Sequence, residues 1–160
     1  MDRAGPELLA RLLDEHAAAL ELYARQWTEC PEDVVQDALV ELVRQSKLPD
    51  NVLAWLYRVV RNRSQQRSSM RRRQREAVAA ERTAAWLPNQ TGIDTEAAAA
   101  ALAALPLDER EVVIAHVWGG LKFADIAVAV GTSLSTVHRR YERGLEGLRK
   151  KLGLPCLKNP

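Results

Sequence analysis

Wherever the apolar residues of this chain show a period, they recur three and four positions apart, and no stretch alternates strictly enough to form a half-buried strand. Leu9, Leu12, Leu13, His16, Leu20, Tyr23 and Trp27 make one such stripe between about Pro6 and Trp27. Val35, Ala38, Leu39, Leu42 and Val43 make a second, and Leu53, Leu56, Tyr57 and Val60 a third. Further along, Val112 and Val113 with His116 or Val117, then Phe123, Ile126, Ala127 and Val130, then Val137, Tyr141, Leu145, Leu148 and Leu152 repeat it. A 3.6-residue period admits only helices, and the abundant Leu, Ala, Arg and Glu are good helix formers. The expected fold class is therefore all-α.

At 160 residues the chain is long enough for one ordinary domain or two small ones. Residues 83–96, with Trp86-Leu87-Pro88-Asn89-Gln90-Thr91-Gly92 at their heart, have no period and concentrate turn formers. We expect two small helical domains, 1–82 and 97–160, joined by this short linker. Pro31 suits a first helical position, Glu32 and Asp33 favour the positive end of the dipole, and Arg44 and Lys47 favour the other end. Asn62 is expected to break or cap the third helix, with an arginine-rich fourth running to about Arg75 and fraying towards Arg82. A helix over Thr95–Leu105 and one over Asp108–Trp118 should follow, the latter ended by Gly119-Gly120.

Charge is sharply segregated under a net value of +2. Residues 1–57 hold eleven acids against five bases, residues 58–75 hold eight arginines and no acid, residues 76–133 hold eight acids against three bases, and residues 134–160 hold seven bases against two acids. Two separate cationic blocks, each preceded by an acidic one, point to nucleic acid for part of the chain only. Acids interrupt the N-terminus where a leader would need an apolar run, and the uncharged stretch near Ala97 to Leu107 is too short to span a bilayer. A soluble, cytoplasmic chain without a membrane span is expected. Cys30 and Cys156 have no metal-ligand spacing, so no metal and no cofactor are expected. His16, His116 and His138 are isolated from any nucleophile or carboxylate cluster, which argues against a catalytic residue and an enzyme.

The second cationic block lies in a helix-turn-helix pattern. Gly131 can take the left-handed conformation that stops one helix, and Ser133 can cap the next. Ser135, Thr136, His138, Arg139, Arg140 and Arg143 then fall on the outward side, hydrogen-bonding groups first and cations after, in keeping with base edges and phosphates. A plain three-helix bundle with a solvated basic face would carry the same pattern. In the first block, Arg58, Arg61, Arg63, Arg67 and Arg71 are interleaved with Asn62, Gln65 and Gln66 and preceded by Trp55 and Tyr57. Cations that track phosphate beside aromatic and amide groups that stack on or bond to an unstacked base suit a single strand. Either aromatic could instead be core. The acidic face of Glu32, Asp33, Gln36, Asp37 and Glu41 repels phosphate, so it is either solvated or a dock for a basic protein.

Pro31-Glu32-Asp33-Val34-Val35-Gln36-Asp37-Ala38 with Ala54-Trp55-Leu56-Tyr57-Arg58-Val59-Val60-Arg61-Asn62 resembles region two of the extracytoplasmic-function (ECF) group of bacterial RNA polymerase sigma factors. Leu105-Pro106-Leu107-Asp108-Glu109-Arg110-Glu111-Val112-Val113, Gly120-Leu121-Lys122-Phe123-Ala124-Asp125-Ile126-Ala127 and Gly131-Thr132-Ser133-Leu134-Ser135-Thr136-Val137 resemble region four. The resemblance implies a protein that binds core RNA polymerase, directs it to promoters and helps open the duplex. On that reading Asp33, Gln36, Asp37 and Glu41 dock polymerase. Trp55, Arg58, Arg61, Asn62, Arg63, Gln65, Gln66, Arg67 and Arg71 meet the minus-ten element, gripping the opened strand. Ser135, Thr136, His138, Arg139, Arg140 and Arg143 read the minus-thirty-five duplex. The partners implied are core polymerase and promoter DNA, duplex and single-stranded, with room for an anti-sigma factor. His138-Arg139-Arg140 stand where many members carry a lysine, a small residue and an arginine, so no promoter sequence carries over. The alternative is a helix-turn-helix regulator that binds duplex DNA without polymerase.

Overall fold

A computed structural model describes residues 3–68 and 95–153, and every element among them is helical. The first half contains α1 (Pro6–Ala24), α2 (Pro31–Arg44) and α3 (Val52–Arg67), and the second contains α4 (Thr95–Ala103), α5 (Leu107–Val117), α6 (Phe123–Val130) and α7 (Leu134–Leu152). The expected arginine-rich fourth helix does not start after Asn62, because residues 63–67 continue α3; its remainder from residue 69, Arg71 within it, nearly all of the expected linker and Cys156 lie outside the described residues.

Local chemistry sets most of the helix ends. Pro6 and Pro31 occupy the first turns of α1 and α2, where a missing N–H costs nothing. The Asn51 side chain caps α3 by accepting from the Ala54 amide at 3.0 Å. Helix α1 stops at Ala24, short of the expected Trp27, yet Trp27 remains buried. Asn62 neither breaks nor caps α3, which runs on to Arg67. The physical reason is the buried row Leu56, Val59, Val60 and Ser64, which continues past Asn62 and leaves that amide on the exposed side.

The core is continuous through both halves. Leu20, Tyr23, Leu42, Leu56 and Tyr57 from the first half and Leu102, Val112, Val113 and Ile114 from the second are fully buried members of one cluster. Each such leucine contributes roughly 1.5–3 kcal/mol by leaving water. Across the seam, α3 lies on α6 and α1 on α5. The stripe reading errs at two positions, since Leu13 is 50 % and Val43 45 % exposed. They line an apolar groove between α1 and α2, with Leu9, Val35 and Leu39. Val34 is fully buried in their place.

The middle of helix α5 is buried on every side. Arg110, Glu111, Val112, Val113, Ile114 and Ala115 are all buried, so this helix is the centre of the second half rather than one of its faces. Gly144 permits that: a Cβ there would sit 2.7 Å from Val113 Cγ2, so only glycine lets α7 approach α5 so closely.

Candidate functional site

The helix-turn-helix is made by α6, its turn and α7. Gly131 ends α6 at φ 72°, a left-handed conformation that side chains resist, and the Thr132 amide donates back to the Ala127 carbonyl at 3.0 Å. Ser133 then caps α7, its Oγ accepting from the Thr136 amide at 3.2 Å. That fixes the angle at which α7 leaves the turn. Val137 is buried and Tyr141 half-buried, holding α7 against the body of the domain.

The outward side of α7 presents Ser135, His138, Arg139 and Arg143, all exposed. Thr136 is half-buried and its hydroxyl lies 2.8 Å from Ser133 Oγ, so it serves the cap as well as the surface. Arg139 donates to Thr136 Oγ1 at 3.2 Å. Arg140 turns sideways to Asp108 of α5 at 3.5 Å. His138 rests edge-on against Phe123, with ring centroids 4.5 Å apart, and Phe123 in turn stacks on His116 and tilts against Tyr141. His116 is pinned by its Nδ1–H, which donates to the Leu121 carbonyl at 2.8 Å. The imidazole at 138 is thus positioned by an aromatic cluster rather than swinging free.

In the first half the acidic and basic faces meet each other. Arg67 of α3 donates to Asp37 of α2 at 2.9 Å, and Arg63 grips Glu41 through both Nε and Nη2. Both pairs are well exposed, so each stabilises the fold by about 0–1 kcal/mol and exchanges readily for a competing phosphate or cation. Arg58, Asn62, Gln65 and Gln66 are exposed without occupying the core, as are Asp33 and Gln36 on α2. Trp55 is half-buried, whereas Tyr57 is wholly core.

Arg61 departs from the expected outward position. It turns into the seam between the halves, where Nε donates to Glu111 Oε2 at 2.8 Å and Nη2 to Oε1 at 3.2 Å. Tyr23 of α1 donates its hydroxyl to the same Oε2 at 3.2 Å, and the Trp27 ring lies 6.0 Å under the guanidinium. Burial works against the Arg61 charge, but the bonds from Glu111 outweigh it and leave its pKa raised. Burial first, then the Glu111 charge, pushes the Tyr23 phenol well above its usual range, so it stays a donor. Beside this contact, Tyr57 Oη is buried with no hydrogen-bond partner among the described residues, 2.5 Å from where a Gly119 Cβ would sit. Sequence reasoning missed Tyr23 and Glu111 as polar seam residues. The available signal was Glu111 itself, a carboxylate directly before the apolar run Val112-Val113-Ile114-Ala115, which must find a partner if buried with it.

Comparison with known proteins converges on one family. Residues 12–76 match the family described as Sigma-70 region 2, and residues 95–148 match that described as Sigma-70, region 4. The ECF RNA polymerase sigma factor EcfG of Rhodopseudomonas palustris (strain TIE-1) is 31% identical over 150 residues, spanning 89% of this chain and 81% of the relative. The sigma factor RpoE of Bartonella quintana, solved in complex with the anti-sigma factor NepR, is 26% identical and superposes with a TM-score of 0.70 over 95% of this chain and 100% of that one. CnrH, solved with the cytosolic domain of CnrY, is 23% identical with a TM-score of 0.64 over 94% of this chain and 90% of that one, and shares the fold. No helix among the described residues is long and apolar enough to cross a membrane. The order of the two regions, the helix-turn-helix geometry and these likenesses agree: the chain belongs to the ECF sigma factors, which bind core RNA polymerase and direct it to promoters.

Proposed function

We propose that the two halves divide promoter recognition. Residues 1–82 carry polymerase docking and minus-ten recognition, residues 83–96 are a linker, and residues 97–160 read the minus-thirty-five element. In this reading Asp33, Gln36, Asp37 and Glu41 form the polymerase dock. Trp55, Arg58, Arg61, Asn62, Arg63, Gln65, Gln66, Arg67 and Arg71 hold the opened strand. Ser135, Thr136, His138, Arg139, Arg140 and Arg143 face the major groove.

The observation that carries this reading is the exposed set Ser135, His138, Arg139 and Arg143 on a capped helix after a tight turn. Short hydrogen-bonding groups near a helix N-terminus reach base edges, and the cations behind them reach phosphate. The acidic side of α2, where Glu32, Asp33 and Gln36 are exposed, supports a different task, because its carboxylates repel phosphate and attract a basic protein surface. The factor performs no catalysis of its own and works in the cytoplasm. Since the Bartonella quintana relative was captured with NepR, an anti-sigma factor is the proposed controlling partner of this chain too.

Mixing the protein with core polymerase and separating the complex by size tests the assignment. Co-elution that is lost on reversing Asp33 and Asp37 to arginine is the expected result. Tight duplex binding without any polymerase complex would instead indicate a polymerase-independent regulator.

A further inference from the structure

A side chain exposed on a helix ordinarily samples several rotamers, and a ring that samples them all selects no base. His138 is exposed on α7, yet its ring lies against Phe123 with centroids 4.5 Å apart and planes at 62°. Phe123 opens α6 and is itself held from two further directions, stacked on His116 of α5 at 4.4 Å and tilted against Tyr141 of α7 at 4.9 Å. We propose that Phe123 is a positioning residue for promoter reading: it holds the His138 imidazole at one angle, so that a ring N–H meets N7 of a purine at one base pair of the minus-thirty-five element. The proposal rests on the reading of His138 as a groove-facing residue.

Both sides of the contact are anchored. The His116 ring is bonded to the Leu121 carbonyl at 2.8 Å and packs edge-on to Tyr141 at 4.9 Å, while the Leu121 amide donates to the Ala115 carbonyl at 3.1 Å. The loop that leads into Phe123 is therefore tied back to α5. On the other side, the Ser133 cap and the buried Val137 fix the first turn of α7, which carries His138. The neighbouring cations are steered by polar bonds, Arg139 to Thr136 at 3.2 Å and Arg140 to Asp108 at 3.5 Å. Ring packing steers His138 without using a conventional hydrogen bond. Neutral or charged, an imidazole carries at least one N–H to donate. In the major groove both purines present N7 as an acceptor, cytosine presents a donor, and thymine sets its methyl beside O4. An imidazole N–H held at one angle thus sorts purine from pyrimidine at the pair it faces. An aromatic edge-to-face pair favours the packed orientation by about two- to tenfold, which is the selectivity Phe123 can confer.

The test uses holoenzyme assembled from the full chain and core polymerase, with duplex promoters selected from a library randomised across the upstream element. In the sequence that wild type selects, 7-deazaguanine or 7-deazaadenine replaces each purine in turn and removes N7 alone. Wild type should lose about two- to tenfold in affinity at one position, the size of a single hydrogen bond. His138→Ala should be indifferent to the deaza base at that position. Phe123→Leu, apolar but without a ring, should shrink the loss there below about twofold while other positions keep theirs. Adding Phe123→Leu to His138→Ala should change that position no further, and Phe123→Tyr, which restores a ring, should recover the wild-type loss. A merely structural role for Phe123 would lower the melting temperature of the leucine variant and weaken every sequence alike. That result overturns the proposal, as does a full deaza penalty in Phe123→Leu or a pattern of losses none of which depends on His138. If Phe123→Leu does not fold, NMR of wild type labelled at its histidine rings decides. A His138 ring as restricted as that of His116 supports the proposal, and a freely rotating one overturns it. Holoenzyme that selects no upstream sequence overturns the minus-thirty-five reading together with the proposal, whereas losses at the His138 position that Phe123→Leu leaves untouched overturn the proposal alone.

Discussion

In the first half, Arg61, Arg63 and Arg67 each meet a carboxylate, whereas in the second half Arg139 and Arg143 stand exposed and Arg140 leans on Asp108. Two blocks that look alike as charge runs therefore differ in availability. The outward side of α7 is open as it stands, because the position of that helix is set locally by Gly131 and Ser133. The arginines of α3 are engaged with their own protein, loosely at Asp37 and Glu41 and tightly at Glu111. What separates loose from tight is burial: the same pair of charges is worth little in water, and breaking it is costly once it is sealed inside.

The largest effect expected from that contrast is on stability at the seam. Glu111→Ala should remove about 3–5 kcal/mol, read from the urea midpoint, because it strands Arg61 and Tyr23 in a nearly dry site. A loss under about 1 kcal/mol would put the seam on a level with the surface pairs. Arg139→Ala should behave in the opposite way. Its stability should stay within about 0.5 kcal/mol of wild type, while promoter duplex affinity should fall by about 1–3 kcal/mol for a base contact, or the salt slope should drop by about one if it meets phosphate. Unchanged duplex binding would remove Arg139 from the interface.

Smaller effects sharpen the same contrast. Ser133→Ala deletes the cap that aims the recognition helix and should cost about 1 kcal/mol, seen as a lower melting temperature with Ser133→Asp retaining most of the stability. Arg67→Ala breaks an exposed pair and should change stability by roughly 0.2–1 kcal/mol at most. A change above about 2 kcal/mol would mean that the exposed and buried pairs are not different in kind.

These contrasts also explain what could be read in advance. The all-α class, the turn at Gly131 and Ser133 and the inward Val137 follow from periodicity and capping, which act within a few residues. Asn62 misled because a single polar residue stops a helix only where the buried row also stops, and here Val60 and Ser64 carry it on. Leu13 and Val43 misled because an apolar stripe records what is kept from bulk polar contact, and a groove wall shows the same spacing as a core. Arg61 and Glu111 lie 50 residues apart, so no local pattern in either segment announces the other. Only a charge directly beside the apolar run at the buried middle of α5 hinted that such a partner existed.

The central claim is that this chain supplies promoter specificity to polymerase through two differently prepared surfaces. Run-off transcription with core polymerase on fragments of the source genome tests it most directly. The account predicts discrete transcripts that appear only when the protein is added and that disappear with Asp33→Arg and Asp37→Arg or with Arg139→Ala and Arg140→Ala. Transcripts indifferent to the protein, or transcripts that survive both pairs of substitutions, would contradict it.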